Sequence, residues 1–249
     1  MNQKITAFLF GLLGTILLIC SCILALYFRQ SSQQAALYSR LAASASHFDT
    51  GELTGEGSLL PEREELYEQN PDMVGWIQIE GTGIDYPVMQ TPADPNYYLK
   101  HDFEKHYTDY GCPFMQADCD ALAPSDNLII YGHNMKNGSM FGNLKKFTED
   151  QSTYEKSKYF WILTPEKNYR YEIISAYTTG VNSDTYTLFK GPGEEYLNYL
   201  NTIQGYSEIK TEATELTVKD KIVTLSTCTG NEATRFVVQG KQVNAEPAG

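Results

Sequence analysis

Three residues in the second half of the chain have types and settings suited to acyl transfer: Cys228, Arg235 and His133. Cys228 closes the run Ile222-Val223-Thr224-Leu225-Ser226-Thr227-Cys228, where Val223 and Leu225 alternate with polar residues as in a half-buried strand. The turn TGNEAT follows, and Arg235 opens the next strand-like stretch. So short a connection between antiparallel strands brings their ends together, which sets Arg235 beside Cys228. A guanidinium there favours thiolate over thiol, and its fork can bind a carbonyl oxygen as charge develops on it. Taken alone, the pair is also what a buried structural thiol and a surface arginine would look like. His133 follows the apolar run NLIIY and a glycine, in YGHNMKNGSMFGNL. It too stands where a strand opens into a loop, and a loop histidine making one hydrogen bond is its plainer description. Strand ends on one rim of a barrel are held rigidly by the scaffold. A Cys, a His and an Arg at three of them supply a nucleophile, an acid/base and an oxyanion donor. His101 and His106, in the charged loop KHDFEKHY, and His47, in a polar linker, fit that role less well.

The elements that must position these residues are short. Strand-like stretches run 74–79, 86–90, 112–116, 127–131, 159–163, 169–179, 221–228 and 235–243, punctuated by Gly, Pro, Asn and Asp. Two helical patterns interrupt them, SMFGNLKKF (139–147) and GEEYLNYLNTIQ (193–204). In the second, Tyr196, Leu197, Leu200 and Ile203 share a face. Pro61 followed by EREELYEQN reads as a short helix that stops before Pro71. Many short strands with few helices predict a mainly β domain, either barrel or sandwich. Eight strands can close and hide their edges, which favours the barrel.

Bulk composition narrows the function classes. The chain has 249 residues, enough for one mid-sized domain plus attachments, and its 42% hydrophobic and 20% charged content is that of a globular protein. A formal net charge of -12 repels phosphates, which sets nucleic-acid partners aside. Only four histidines are present, with no HExxH or CxxC pair, so neither zinc nor another cofactor is expected. Cys112, Cys119 and Cys228 lie outside the apolar N-terminus, and that odd number leaves at least one free thiol. Cys112 and Cys119 either pair or stand as separate small core residues; the strand-like GCPF favours the second.

Ile5 to Phe28 is an uncharged apolar run bounded by Lys4 and Arg29. Its twenty-four residues make about 36 Å of helix, enough to span a hydrocarbon core of about 30 Å. A cleaved signal peptide would have a shorter apolar core and an A-x-A-like site, and none stands before Tyr27. A lipoprotein site at Ile19-Cys20-Ser21-Cys22 is a weaker alternative. Flanking charges on both sides leave orientation open. The expected organisation is an anchor over 1–30, a spacer with a helical extension over 31–61, rich in Ala, Ser and Gly, and a catalytic domain over 62–249.

YGHNMKNGSMFGNLKKF and TLSTCTG followed by an Arg resemble the sortases, class B in particular. The resemblance runs from about residue 62 to 243, with an anchor where the family places one. It implies an eight-stranded sortase-type β-barrel with an N-terminal helix and a helix before the Cys strand, matched by 193–204. The family's catalytic residues fall on His133, Cys228 and Arg235. Its substrate-groove positions fall on Leu99, Tyr186 and Ser226. The implied activity is a cysteine transpeptidase that cleaves the C-terminal sorting signal of a surface protein and passes the acyl group to an amine of peptidoglycan precursor or a pilin lysine. The implied place is the membrane of a Gram-positive bacterium, with the domain outside and no calcium requirement. In many class B members the segment between Cys and Arg is longer and acidic; here it is only TGNEAT. The same residues would also serve a hydrolytic cysteine peptidase. A non-enzymatic surface-binding module would instead need Cys228 buried and unreactive.

Overall fold

The computed structural model describes residues 3–45, 61–120, 125–189, 191–212 and 215–247. The N-terminal unit is one helix, α1 (Gln3–Ala45). Its segment from Phe8 onward is the one helix among the described residues long and apolar enough to cross a membrane. The polar linker expected after it falls mostly on 46–60, outside the described residues.

The second unit begins with α2 (Pro61–Gln69), with proline in the first turn, where its missing N–H costs nothing. Eight strands follow: β1 (Met73–Ile79), β2 (Ile84–Met89), β3 (Phe114–Met115), β4 (Asn127–Tyr131), β5 (Tyr159–Leu163), β6 (Lys167–Gly180), β7 (Ile222–Cys228) and β8 (Thr234–Pro247). They close into a barrel in the order β1-β2-β3-β4-β7-β8-β6-β5, and the β1–β5 pairing completes the ring. Two junctions are parallel, β2–β3 and β4–β7; the others are antiparallel. Three helices sit in the connections: α3 (Lys146–Glu149), α4 (Gln151–Lys156) and α5 (Glu194–Gly205).

Two expectations change. The stretch 139–147 is mostly turns, and only its last two residues enter α3. Gly138 and Met140 take positive φ, and an isolated bridge joins Asn134 to Met140, which a helix does not allow. The strand expected over 112–116 is reduced to Phe114–Met115. Cys112 N–H bonds the Tyr98 carbonyl instead, and Gly111 sits so close to that chain that a Cβ would lie 2.5 Å from the same oxygen. Cys112 and Cys119 form no disulfide: both are buried, one thiol at the Pro87 carbonyl and the other at that of Asn127.

Strand β7 shows how the barrel divides its two faces. Ile222 packs with Tyr196, Tyr199, Leu200 and Ile203 of α5. A helix cannot fit inside an eight-stranded barrel, whose lumen side chains fill, so this is the outer face. Strand periodicity puts Thr224, Ser226 and Cys228 on that same face, and Val223 and Leu225 in the lumen.

Candidate active site

Register brings the three chemically capable residues together. In the parallel β4–β7 pair, Tyr131 lies opposite Ser226. His133 and Cys228 are each two residues further on, so both emerge at the same edge and on the same face. In the antiparallel β7–β8 pair, Cys228 lies opposite Arg235. The Gln242 N–H bonds the Lys221 carbonyl, marking 221 and 242 as a hydrogen-bonded pair. Alternation then makes Cys228 and Arg235 a non-hydrogen-bonded pair, the type whose Cα atoms are about 4.5 Å apart and whose side chains lie closest.

Backbone and side-chain bonds hold this corner. The Gly132 N–H bonds the Ser226 carbonyl at 3.1 Å, and Thr227 Oγ1 donates to the Gly132 carbonyl at 2.7 Å. Asn134 Nδ2 donates to the Cys228 carbonyl at 2.7 Å, tying the histidine loop to the end of β7. A Cβ on Gly132 would sit 2.7 Å from the Phe141 ring, which is fully buried, so only glycine allows this entry into the loop.

Each candidate side chain has an identifiable holder. His133 Nε2 lies 2.7 Å from the Leu99 carbonyl. Nε2 therefore carries a hydrogen, and Nδ1 is the nitrogen left to exchange a proton. The Arg235 guanidinium donates through one nitrogen to the carbonyls of Glu232 at 3.0 Å and Thr234 at 2.8 Å. The short turn between Cys228 and Arg235 thus aims the arginine with its own carbonyls. Cys228 is exposed, contrary to the buried thiol that a binding module requires.

A cavity of about 420 Å³ opens at this corner. Its lining includes His133, Cys228 and Arg235, together with Leu99 and Ser226. Tyr186 does not reach the lining itself, but its hydroxyl lies 2.9 Å from Ser226 Oγ. Burial pushes the Tyr186 phenol above its usual range, so it stays a neutral hydrogen-bonding group. Tyr131, which also lines the cavity, is pushed up to about 12, by burial first and then by Tyr186; its hydroxyl donates to Gln116 at 2.8 Å. Among the described residues, no cluster of His, Cys, Asp and Glu has a metal-binding arrangement. Sequence reasoning missed Asn134 and the carbonyl acceptors that hold Arg235 and His133. The first stood in plain view beside His133; the others are backbone atoms that no residue type announces.

Comparison with known proteins agrees with this architecture. A family model described as Sortase domain matches residues 77–243. Sortase B of Listeria monocytogenes is 35% identical over 192 residues, covering 75% of this chain and 76% of the relative. Among solved structures, a Staphylococcus aureus sortase B–substrate complex superposes with a TM-score of 0.76 at 29% identity, covering 87% of this chain and 99% of that one. Sortase B of S. aureus complexed with MTSET gives 0.75 at 30% identity over 86% of this chain and 90% of that one.

Proposed function

We propose, for a chain that belongs to the sortase family as a class B transpeptidase, that Cys228, His133 and Arg235 carry the reaction. Sortases join a protein bearing a sorting signal to an amine at the Gram-positive cell wall. The observation that supports the assignment is the shared strand register, which gathers these three side chains at one end of a single groove.

The chemistry follows from the groups present. The Cys228 thiolate attacks the carbonyl carbon of a Thr–Asn-like or Thr–Gly-like bond in the sorting signal. The oxyanion that forms is met by the Arg235 guanidinium; losing one such donor typically costs about 3 kcal/mol. His133 as imidazolium gives its proton to the leaving amine, help worth about 10²–10⁴ in rate. A thioester on Cys228 remains. An incoming amine attacks it, loses a proton to His133, and leaves as a new amide while the thiolate is restored. We assign the acyl donor to a surface protein's C-terminal signal and the acceptor to an amine of peptidoglycan precursor or a pilin lysine. Leu99, Ser226 and Tyr186 are read as substrate-groove residues.

The same proposal places the chain at the membrane. Residues 1–30 act as a single-pass anchor, 31–61 lift the domain off the surface, and 62–249 form the catalytic domain on the extracellular side. The apolar character of α1 supports this.

The decisive experiment uses a fluorogenic peptide containing a Thr–Asn or Thr–Gly bond. Intact mass measurement should show an acyl adduct on the native enzyme and none on Cys228→Ala. An added peptide amine should divert product from acid to amide. Cleavage by Cys228→Ala would sink the assignment.

A further inference from the structure

Between the outer face of the barrel and the segment that carries Tyr186 lies a row of buried polar side chains. Asn127, Thr224, Gln239 and Ser175 come from four neighbouring strands, β4, β7, β8 and β6, and none has measurable exposure. Thr224 Oγ1 donates to Asn127 Oδ1 at 2.8 Å. Gln239 Nε2 donates to Thr224 Oγ1 at 2.9 Å, and Ser175 Oγ donates to Gln239 Oε1 at 2.9 Å. Such a row is costly in a core unless every member is satisfied, and a barrel of this kind could fill the space with apolar side chains instead. What the row holds explains its presence.

The Asn127 amide nitrogen faces the backbone on both sides of Tyr186. It donates to the Thr185 carbonyl at 3.0 Å and to the Thr187 carbonyl at 3.1 Å, with the Tyr199 hydroxyl at 2.9 Å. Two carbonyl acceptors flank the amide, so the nitrogen must face them and the oxygen must face Thr224. Tyr199, from α5, donates to the Thr185 carbonyl as well, and Tyr177 meets Thr185 Oγ1 at 3.0 Å. The carbonyls of the residues on either side of Tyr186 are therefore pinned from beneath, while its hydroxyl reaches over to Ser226 in the groove.

We propose that Asn127 is a positioning residue for the transpeptidation reaction: by gripping the carbonyls of Thr185 and Thr187 it fixes Tyr186 against Ser226, and through that contact it sets a lining residue of the sorting-signal groove. This rests on the reading of Tyr186 as a groove residue. Asn127 touches neither the substrate nor the reacting atoms. Its effect passes through the 184–187 turn, so it belongs in substrate affinity and not in the reactivity of the thiol.

The test uses Asn127→Ala, Asn127→Asp, Tyr186→Ala and the double variant Asn127→Ala/Tyr186→Ala, with three readouts on the folded full chain. The first is hydrogen exchange of the amides in 183–188. The second is kcat and KM for a Thr–Asn or Thr–Gly fluorogenic peptide, whichever the native enzyme cleaves faster. The third is the rate at which a methanethiosulfonate modifies Cys228. Asn127→Ala should speed exchange in 183–188, raise KM about tenfold with kcat changed less than threefold, and leave the modification rate within twofold of native. Asn127→Asp, which keeps the shape but cannot donate to two carbonyls as a carboxylate, should behave like Ala. In the Tyr186→Ala background, Asn127→Ala should add less than twofold to KM. Unchanged exchange in 183–188 would overturn the clamp. A full tenfold effect persisting without Tyr186, or a parallel loss of thiol reactivity, would overturn it in favour of a general role in the fold. A native KM in Tyr186→Ala would instead refute the groove reading of Tyr186, and is told apart because the exchange result reads the clamp alone.

Discussion

One face of β7 runs from a sealed part of the molecule to an open one. At its start Ile222 lies under α5, packed against Leu200 and Ile203, and Thr224 has its hydroxyl locked between Asn127 and Gln239. At its end Ser226 lines a cavity and Cys228 is exposed beside Arg235 and His133. Backbone and period are the same at both ends; what differs is the cover. Over the first half lies an amphipathic helix, and around the second stand loops that follow β2, β3, β4 and β6. Contacts that immobilise side chains cannot also leave an atom accessible to a substrate. The strand meets both demands by separating them along its length, with the rigid half holding the reactive half in place.

This contrast can be broken or sharpened by changing one end at a time. The largest effect is expected at the open end. Arg235→Lys replaces a planar fork by a point charge and should lower kcat/KM about 10²–10³-fold, with the melting temperature nearly unchanged. A comparable loss of stability in that variant would mean the open end also supports the fold. Leu200→Ala, in the sealed half, should cost about 3 kcal/mol in denaturant unfolding yet leave kcat/KM of the folded fraction within about threefold of native. If activity fell with its stability, the two halves would not be separable. Gly132→Ala lies at the boundary. Its Cβ would press on the buried Phe141 ring, and a strain of about 1–3 kcal/mol should appear in stability and in the rate of acyl-enzyme formation together. The smallest effect belongs to Tyr131→Phe. The phenol is held at about 12, above its ordinary value of about 10, so its contribution is intact below pH 10 and lost as pH rises towards 12. The variant should cost less than about 1 kcal/mol at pH 8, and its deficit should shrink in unfolding titrations at higher pH.

How much of this was legible in the sequence depended on whether side chains or backbone did the work. NLIIY and YFWIL coincide with β4 and β5 because short, β-branched and aromatic runs bounded by turn residues have few other solutions. The pairing of Cys228 with Arg235 was readable from the brevity of TGNEAT. The structure gives that turn a further use: its Glu232 and Thr234 carbonyls accept from the guanidinium. SMFGNLKKF misled because its apolar spacing is helical, while Gly138 and Met140 at positive φ, with Phe141 packed under Gly132, impose a compact loop. In the sequence Asn127 is only the first residue of a strand-like run. A lone amide heading an apolar run carries no sign of its partners when these lie at positions 185, 187, 199 and 224.

The parallel junction between β4 and β7 has a further consequence, for the order in which the protein is made. Its bonds join residues 95 positions apart, as between Gly132 and Thr227. Antiparallel neighbours can zip up from a hairpin, but a parallel pair must wait for the whole intervening crossover, here including β5, β6 and α5. Long-range closures of this kind carry their entropic cost before any contact repays it, and so come late in folding. A chain still collapsing can bring its thiol and its guanidinium together in the β7–β8 hairpin, but it holds the imidazole apart from both. Completion of the barrel is the step that gathers all three groups at one corner.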